Sequence, residues 1–194
     1  MDLNPGSQRI TGLINGWQNI AENNQGKALG FQYKNIRSNA FTFTYNNFWG
    51  EEKVTGTNSR FRGYHDLIFQ YKYSAQWQTL WALDFGHQSQ QTNDGIDIWY
   101  GTAYTIRRIL NPAQAIALRL EYYNDRHQAN VMTNTSNGFQ VAGASINFDH
   151  QLAQRAMWRT ELRGFHSVDK IFPKGKNLLD EWDGFLVTSL GLSL

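Results

Sequence analysis

Apolar and polar residues alternate along most of the chain, and the alternation is clearest between positions 61 and 88. The first arm of this stretch sets Leu67, Phe69, Tyr71 and Tyr73 against Asp66, Gln70 and Lys72, with one interruption at Ile68. After a short polar connection, the second arm sets Trp77, Trp81, Leu83 and Phe85 against Gln78 and Asp84. A period of two predicts a β-hairpin in which each strand carries one apolar face and one polar face.

The same period recurs along the whole chain and predicts about ten strands. Beside the two arms of the hairpin, the predicted strands cover 8–19, 27–34, 40–49, 95–106, 115–125, 138–149, 158–167 and 184–194. Their connections alternate strictly between short (37–39, 74–76, 111–114, 153–155) and long (21–26, 50–60, 88–94, 126–137, 168–183). Strands of about ten residues cross a bilayer when tilted, and transmembrane barrels have short periplasmic turns and longer extracellular loops. The sequence therefore predicts an all-β fold, an antiparallel up-and-down transmembrane β-barrel that forms one domain over 1–194.

The polar side of the predicted strands is unusually rich in charge. Ten residues on it are predicted to line a pore: Lys34, Asp66, Gln70, Lys72, Asp84, Arg119, Glu121, Arg159, Glu161 and Arg163. Burying so many charges in a dry core costs several kcal/mol for each unpaired ion, whereas a hydrated or salt-bridged lumen avoids that cost. Five of the charged residues are basic and four are acidic, which favours ion pairs across the lumen over a strong ion filter.

Aromatic residues near the predicted strand ends fit a membrane interface, where amphipathic rings are enriched. They are Trp49, Tyr64, Trp77, Trp99, Tyr100, Tyr123 and Trp182. The alternative is a soluble antiparallel domain whose half-exposed strands carry ordinary surface charges. The strict alternation of short and long connections favours the transmembrane interpretation, because soluble sandwiches do not require it.

Composition narrows the function classes. The length of 194 residues suits one domain. A content of 41% hydrophobic and 18% charged residues excludes a disordered chain. The aromatic content of 14% is high for a chain whose mean hydropathy is −0.55. No apolar run approaches the roughly 18 residues of a spanning helix, so insertion must be by strands. The chain has no cysteine, which excludes disulfides and thiolate sites, and its net charge of +2 gives no polybasic footprint for nucleic acid. The first ten residues lack the basic and apolar blocks of a signal peptide, so we expect a mature form or a fragment.

Several short motifs resemble those of a known family. They are Gly12-Leu13-Ile14-Asn15-Gly16-Trp17, Asn23-Asn24-Gln25-Gly26-Lys27, Tyr45-Asn46-Asn47-Phe48-Trp49-Gly50-Glu51-Glu52 and, later, Arg119-Leu120-Glu121-Tyr122-Tyr123-Asn124-Asp125 and Glu161-Leu162-Arg163. With them the sequence resembles the β-barrel porins of the OmpL-like kind in Gram-negative outer membranes. The resemblance covers most of this chain but only the C-terminal part of a full-length family member. It therefore implies further strands on the N-terminal side. It also implies an outer-membrane, porin-like role, contact with lipid and with the barrel-assembly machinery, and no catalytic residues to carry over.

Only one pair of residues points to catalysis. His87 and Ser89 lie two apart on a predicted strand and so on one side of it, like the His-x-Ser pair of outer-membrane phospholipases and lipid A deacylases. Those enzymes need a third polar residue on the neighbouring strand, and the corresponding stretch 99–103 (WYGTA) contains no Asn, Asp or Glu. The histidines and the acidic loop residues show no metal-ligand spacing. We therefore expect no enzyme, no cofactor and no metal.

The predicted function is passive diffusion of small polar solutes through a narrow charged lumen in the outer membrane. The lumen is expected to be narrow because eight strands leave an interior filled by side chains, whereas sixteen to eighteen leave an aqueous channel. One alternative is a non-conducting structural or surface-binding barrel that meets a partner through loop 168–183. A lipid hydrolase is the least favoured alternative.

Overall fold

A computed structural model of the chain describes residues 6–16, 26–52, 59–90, 94–176 and 178–193. The first six strands are β1 (Gly6–Ile14), β2 (Ala28–Ile36), β3 (Phe41–Glu52), β4 (Arg60–Lys72), β5 (Trp77–Ser89) and β6 (Ile96–Asn111). The remaining strands are β7 (Gln114–Asp125), β8 (Phe139–Ala153), β9 (Ala156–Ser167), β10 (Phe172–Pro173), β11 (Leu179–Asp180) and β12 (Trp182–Leu192). The described residues contain no helix long and apolar enough to cross a membrane.

Ten of these strands form one sheet in the order β1-β2-β3-β4-β5-β6-β7-β8-β9-β12, and every neighbouring pair is antiparallel. Strands β10 and β11 form a separate two-stranded hairpin inside the last long connection. This order confirms the predicted all-β, antiparallel, up-and-down architecture. The predicted strand over 8–19 is shorter in the structure, where β1 ends at Ile14, and its last residues 17–19 lie outside the described residues.

The connections confirm the alternation of short and long. The described sheet has four short turns, at 37–40, 73–76, 112–113 and 154–155, and they all join strands at one edge, the short-turn end. Ser38 and Ser74 close two of these turns by accepting hydrogen bonds from backbone N–H groups two and three residues later. The other edge, the long-loop end, carries the longer connections. Parts of three predicted long loops, at 21–25, 53–58 and 91–93, lie outside the described residues.

The strand register is staggered. A row of paired residues that starts at Phe41, the first residue of β3, passes through Tyr71 in β4 and reaches Leu162, the seventh residue of β9. The row therefore climbs away from the short-turn end as it crosses the sheet. Strands in a barrel are tilted against the barrel axis and need a stagger of this kind.

The sheet has two edges, β1 and β12, that pair on one side only and not with each other. Every residue of β12 is exposed, and so is nearly all of β1, because no strand covers the outer side of either. The predicted strand order is thus present without ring closure. Since β1 and β12 run in opposite directions in an up-and-down sheet, they could pair antiparallel without a change in topology.

Candidate functional site

The register places all ten predicted pore-lining residues on the same face of the sheet, which we call the polar face. Directly paired residues project to the same side of a sheet, so the row that begins at Lys34 continues through Ile68 and arrives at Glu121. The pairings of the other eight residues, followed in the same way, place them on that side as well. Ile68, which interrupted the alternation in the sequence, also lies on it. The structure thus gathers these residues onto one surface, and their pore-lining role stays a prediction.

The opposite surface, the apolar face, is aromatic and aliphatic from β2 to β12. Its large side chains are exposed to an extent that a water-soluble sheet avoids, for example 57% for Leu162 and 70% for Leu186. A continuous exposed apolar band opposite a charged surface is the pattern of strands that face lipid. The exposed apolar residues on the polar face, Ile10, Ile14, Phe185 and Val187, belong to the two edge strands.

Four of the seven predicted interface aromatics lie on the face that the prediction requires, and their position at a membrane interface stays a prediction. Trp49, Trp77, Tyr100 and Trp182 lie on the apolar face. Tyr64, Trp99 and Tyr123 lie on the polar face, so their assignment to a membrane interface is wrong. Glycines on the neighbouring strands leave room for these rings: a Cβ atom at Gly86 would lie 2.0 Å from Trp99 Cε2, and one at Gly101 would lie 3.0 Å from Tyr123 Cδ2.

Asp149 in β8 forms the centre of an ion cluster with two arginines on the polar face. Its carboxylate accepts hydrogen bonds from Arg159 Nε at 2.6 Å and from Arg159 Nη2 at 2.9 Å. Arg107, two strands away in β6, donates to the same carboxylate over a longer distance of 3.3 Å. The cluster holds two cations and one anion, so it carries one excess positive charge.

Glu121 in β7 forms a second cluster of the same composition. Arg119 donates to Glu121 Oε2 from Nε at 2.9 Å, and Arg163 in β9 donates to Oε1 from Nε at 3.0 Å. Gly143 lies between them in β8, where a Cβ atom would meet Glu121 Oε1 at 2.7 Å. The glycine therefore opens the space through which the pair reaches across a strand.

We expect Glu121→Gln to lower the free energy of unfolding by about 1 to 2 kcal/mol, because it leaves two guanidinium groups without their carboxylate. The cost stays below that of a dry buried pair, since the Arg119 side chain is 42% exposed and that of Arg163 is 25% exposed. Urea unfolding in detergent micelles measures it. Glu161→Gln is the matched control: it makes the same change on the same face, and within the described chain Glu161 takes part in no salt bridge. Equal losses in the two variants would contradict the cluster.

Asp66 and Asp84 face each other as paired residues of β4 and β5. Two like charges in this position repel each other. Neutral donors stabilise each carboxylate: Asn46 Nδ2 donates to Asp66 Oδ2 at 2.7 Å, and the Tyr64 hydroxyl donates to Asp84. The polar face therefore differs between its two halves, with ion clusters on β6 to β9 and hydrogen-bonded carboxylates on β3 to β5.

A cavity of about 500 Å³ lies on the polar face near the short-turn end, between β3 and β7. Three of the predicted pore-lining residues, Gln70, Lys72 and Arg119, line it together with Arg107. Hydroxyl and amide groups, among them those of Thr42, Gln78 and Thr105, complete the lining.

At the long-loop end, the connection 126–138 folds onto the polar face instead of extending away from the sheet. Asp125, which is fully buried, accepts hydrogen bonds from three backbone N–H groups of this loop, at Ala129, Asn130 and Val131. Arg62 in β4 donates to the Ala129 carbonyl oxygen at 3.1 Å and so ties the loop to a strand three positions away in the sheet. The loop therefore covers part of the polar face at this end.

Arg62 is held by two buried neighbours. Its Nε donates to Gln88 Oε1 at 2.8 Å, and its guanidinium carbon lies 5.2 Å from the centroid of the Trp99 ring. Gln88 and Trp99 are each only 1% exposed. These three side chains form a deeply buried group on the polar face.

Six members of this surface were not predicted from the sequence: Arg62, Gln88, Trp99, Arg107, Asp125 and Asp149. The sequence contains a signal for some of them, because Ile98, Tyr100 and Ile106 share one apolar phase along the strand and Trp99 and Arg107 therefore fall in the opposite phase. Two of the contacts, Arg62 over Trp99 and Arg107 with Asp149, join strands that are not neighbours in the sheet. They depend on the registers of three or four strands, and the alternation pattern does not contain that information.

The long loops also contact each other. Asp169, in the connection after β9, accepts hydrogen bonds from the backbone N–H of Asn137 at 3.0 Å and from its side-chain amide at 2.8 Å. These hydrogen bonds lower the pKa of the Asp169 carboxyl below its usual value. The carboxylate form that accepts them is therefore fully present at neutral pH and is lost only as the pH falls through that lowered pKa.

The His87 and Ser89 pair lies on the apolar face, where β5 approaches the long-loop end. The His87 ring packs over Gly63 and against Phe61 and Phe85. Its paired residue on β6 is Ile98, so no carboxylate or amide stands at the position where a third catalytic residue would orient it. Within the part of the chain that the structure describes, no three His, Asp or Glu side chains are grouped in a way that could hold a metal ion.

Comparison with known proteins identifies a family. A family model described as "Putative beta-barrel porin-2, OmpL-like" matches residues 10–192, which is nearly the whole chain. No curated protein and no solved structure matches the chain.

Proposed function

Because the chain belongs to the OmpL-like beta-barrel porin-2 family, we propose that it lies in the bacterial outer membrane and lets small polar solutes diffuse passively through a narrow lumen lined by its polar face. The observation that carries the proposal is the separation of charge from apolar surface across one sheet of ten strands. An apolar exterior is what lipid requires, and a charged interior is stable only when hydrated or ion-paired.

A lumen requires the free edges of β1 and β12 to be paired, because unsatisfied backbone groups in lipid cost several kcal/mol each. Pairing of β1 with β12 makes a ten-stranded barrel. Such a barrel has an interior only slightly wider than that of the eight-stranded barrels, which side chains fill. The inward-folded loop 126–138 and the arginine clusters reduce the free cross-section further. We therefore expect passage of small solutes and little ionic conductance.

Recording in planar bilayers tests the proposal, with uptake of a small neutral sugar into liposomes as a second measurement. We expect small conductance steps from the refolded 194-residue chain and sugar uptake that falls steeply with solute size. Heat-denatured protein added at the same concentration is the control. Large, stable open steps would contradict the narrow lumen, and a complete lack of steps and uptake would contradict a diffusion role.

A non-conducting, surface-binding barrel is the second candidate, and one observation favours it. The connection after β9 is ordered by the β10–β11 hairpin, yet it exposes Val168, Leu178 and Leu179, each by more than half. Exposed apolar side chains on an ordered loop are typical of a contact surface. Deletion of 170–180 separates the two candidates, because a diffusion barrel should keep its solute uptake whereas a binding barrel should lose its partner.

A further inference from the structure

Charge on the polar face is divided along the strands, although the ten predicted residues are nearly balanced. Five basic residues lie within six positions of a short turn, and two acidic residues, Asp149 and Glu161, accompany them. The basic ones are Lys34, Lys72, Arg107, Arg119 and Arg159. One or two positions farther from the turns the ratio reverses, with Asp66, Asp84 and Glu121 against Arg163. The short-turn end of the polar face therefore carries a net positive charge.

The cavity of about 500 Å³ lies in this positive region. Lys72, Arg107 and Arg119 are its charged lining residues, and no acidic residue lines it. Hydroxyl groups of Thr42 and Thr105 and amide groups of Gln70 and Gln78 add neutral hydrogen-bond donors. Three cations with surrounding neutral donors are the chemistry that binds an oxyanion, and the volume lies within the range of small-molecule sites.

The three cations are only partly neutralised by the carboxylates near them. Asp149 is bound closely by Arg159, through two hydrogen bonds, so its contact with Arg107 at 3.3 Å is the weaker one. Glu121 is shared between Arg119 and Arg163. Lys72 forms no salt bridge with any carboxylate of the described residues. Guanidinium N–H donors of Arg107 therefore remain available to a ligand, and so does the ammonium group of Lys72.

We propose that this cavity binds a small oxyanion with two negative charges, such as a phosphate, a sulfate or a dicarboxylate, and that it makes the lumen prefer anions. The preference for anions rests on the proposed diffusion function, whereas the binding site does not. A guanidinium fork matches the planar or tetrahedral oxygen geometry of these groups, and the ammonium group of Lys72 adds a point charge from the neighbouring wall.

Isothermal titration of the detergent-refolded full chain in low-salt buffer tests binding without any need for conduction. The probes are sodium sulfate and disodium succinate, titrated separately to distinguish a mineral from a carboxylate ligand. We expect saturable binding of at least one of them, and roughly tenfold weaker binding in Arg107→Gln and in Lys72→Gln, because each variant removes one charge-assisted contact. Binding of neither probe, or equal binding by the two variants and the wild type, would overturn the site.

Arg108→Gln is the matched control for Arg107→Gln. It removes the same charge at the next position of β6, but Arg108 lies on the apolar face over the Trp77 ring, 5.2 Å from its centroid. It should bind the probe as the wild type does, provided that its β-sheet circular dichroism is unchanged. A loss of binding in Arg108→Gln equal to that in Arg107→Gln would show that net charge, not the cavity, binds the anion and would overturn the proposal.

Reversal potentials in a potassium chloride gradient then test the preference for anions. We expect a potential of the sign for chloride permeation, reduced in Arg107→Gln and unchanged in Arg108→Gln. Anion binding without any conductance would contradict the diffusion function and leave the site standing. Conductance that selects cations, or whose selectivity is the same in both variants, would overturn the proposed preference.

Discussion

Replacing Leu83 by arginine is expected to lower the free energy of unfolding in lipid by about 2 to 4 kcal/mol, the range for a basic side chain on the lipid face at the bilayer midplane. Leu83 is the central residue of β5, and its paired residues Leu67 and Thr102 share the apolar face. Phe69, closer to the short turn on the same face of β4, should respond in the same direction with a smaller loss. A urea titration of refolding into phosphatidylcholine vesicles measures both.

Ala82→Arg provides the matched control for Leu83→Arg. Ala82 precedes Leu83 on the same strand and projects to the polar face, between Ile68 and Ala103. An arginine there enters the hydrated side of the sheet, so its cost should be well below that of Leu83→Arg. If the two variants lose equal stability, or if Ala82→Arg loses more, the apolar face is not the lipid face and the assignment of the lumen is wrong.

The two faces could be predicted because alternation is a local property of each strand. Once Leu67, Phe69 and Tyr71 are known to share a side, Asp66 and Gln70 must share the other, whatever the rest of the chain does. Short turns at fixed places then fix which strands are neighbours. The predicted strand ranges consequently differ from the observed ones chiefly at their ends, as for β6, which continues past position 106 to Asn111.

Position near a strand end says nothing about which face a side chain occupies, and this is why the assignment of Trp99 to a membrane interface was wrong. Trp99 alternates with Ile98 and Tyr100, which already places it on the polar face. A large aromatic side chain can be buried there only if the paired residue on the neighbouring strand leaves space for the ring. Gly86 provides this space, and only the register of β5 against β6 pairs Gly86 with Trp99. Interactions such as Arg107 with Asp149 depend on two registers at once.

The alternation of apolar and polar residues also could not predict that β1 and β12 have free edges. Alternation in β12 looks the same whether or not a strand lies beside it, since Leu186 and Leu190 remain in phase in both cases. In β1 the pattern is reversed: Ile10 and Ile14 lie on the polar face and Arg9 on the apolar face, where it lies over the Tyr33 ring. Both edge strands therefore carry exposed apolar residues on the polar face.

Trp99→Ala is expected to lower the free energy of unfolding by about 3 to 5 kcal/mol, the usual cost of truncating a buried tryptophan. Trp99 is 1% exposed, and Gly86 opposite it has no side chain that could fill the cavity left behind. Arg62 would also lose the ring over which its guanidinium lies. The measurement is urea unfolding in micelles, followed by far-ultraviolet circular dichroism so that the missing tryptophan does not affect the signal.

Gly86→Ala makes this prediction specific to the contact through a double-mutant cycle. Alone, the added Cβ would lie 2.0 Å from Trp99 Cε2, so the indole must move, and overpacking of this kind costs about 1 to 3 kcal/mol. In the Trp99→Ala background the obstacle is absent, and Gly86→Ala should cost much less because alanine is also the better strand residue. The two changes should therefore be strongly coupled. Additive losses would mean that Trp99 does not pack over Gly86 and that the register of β5 against β6 differs from the one described.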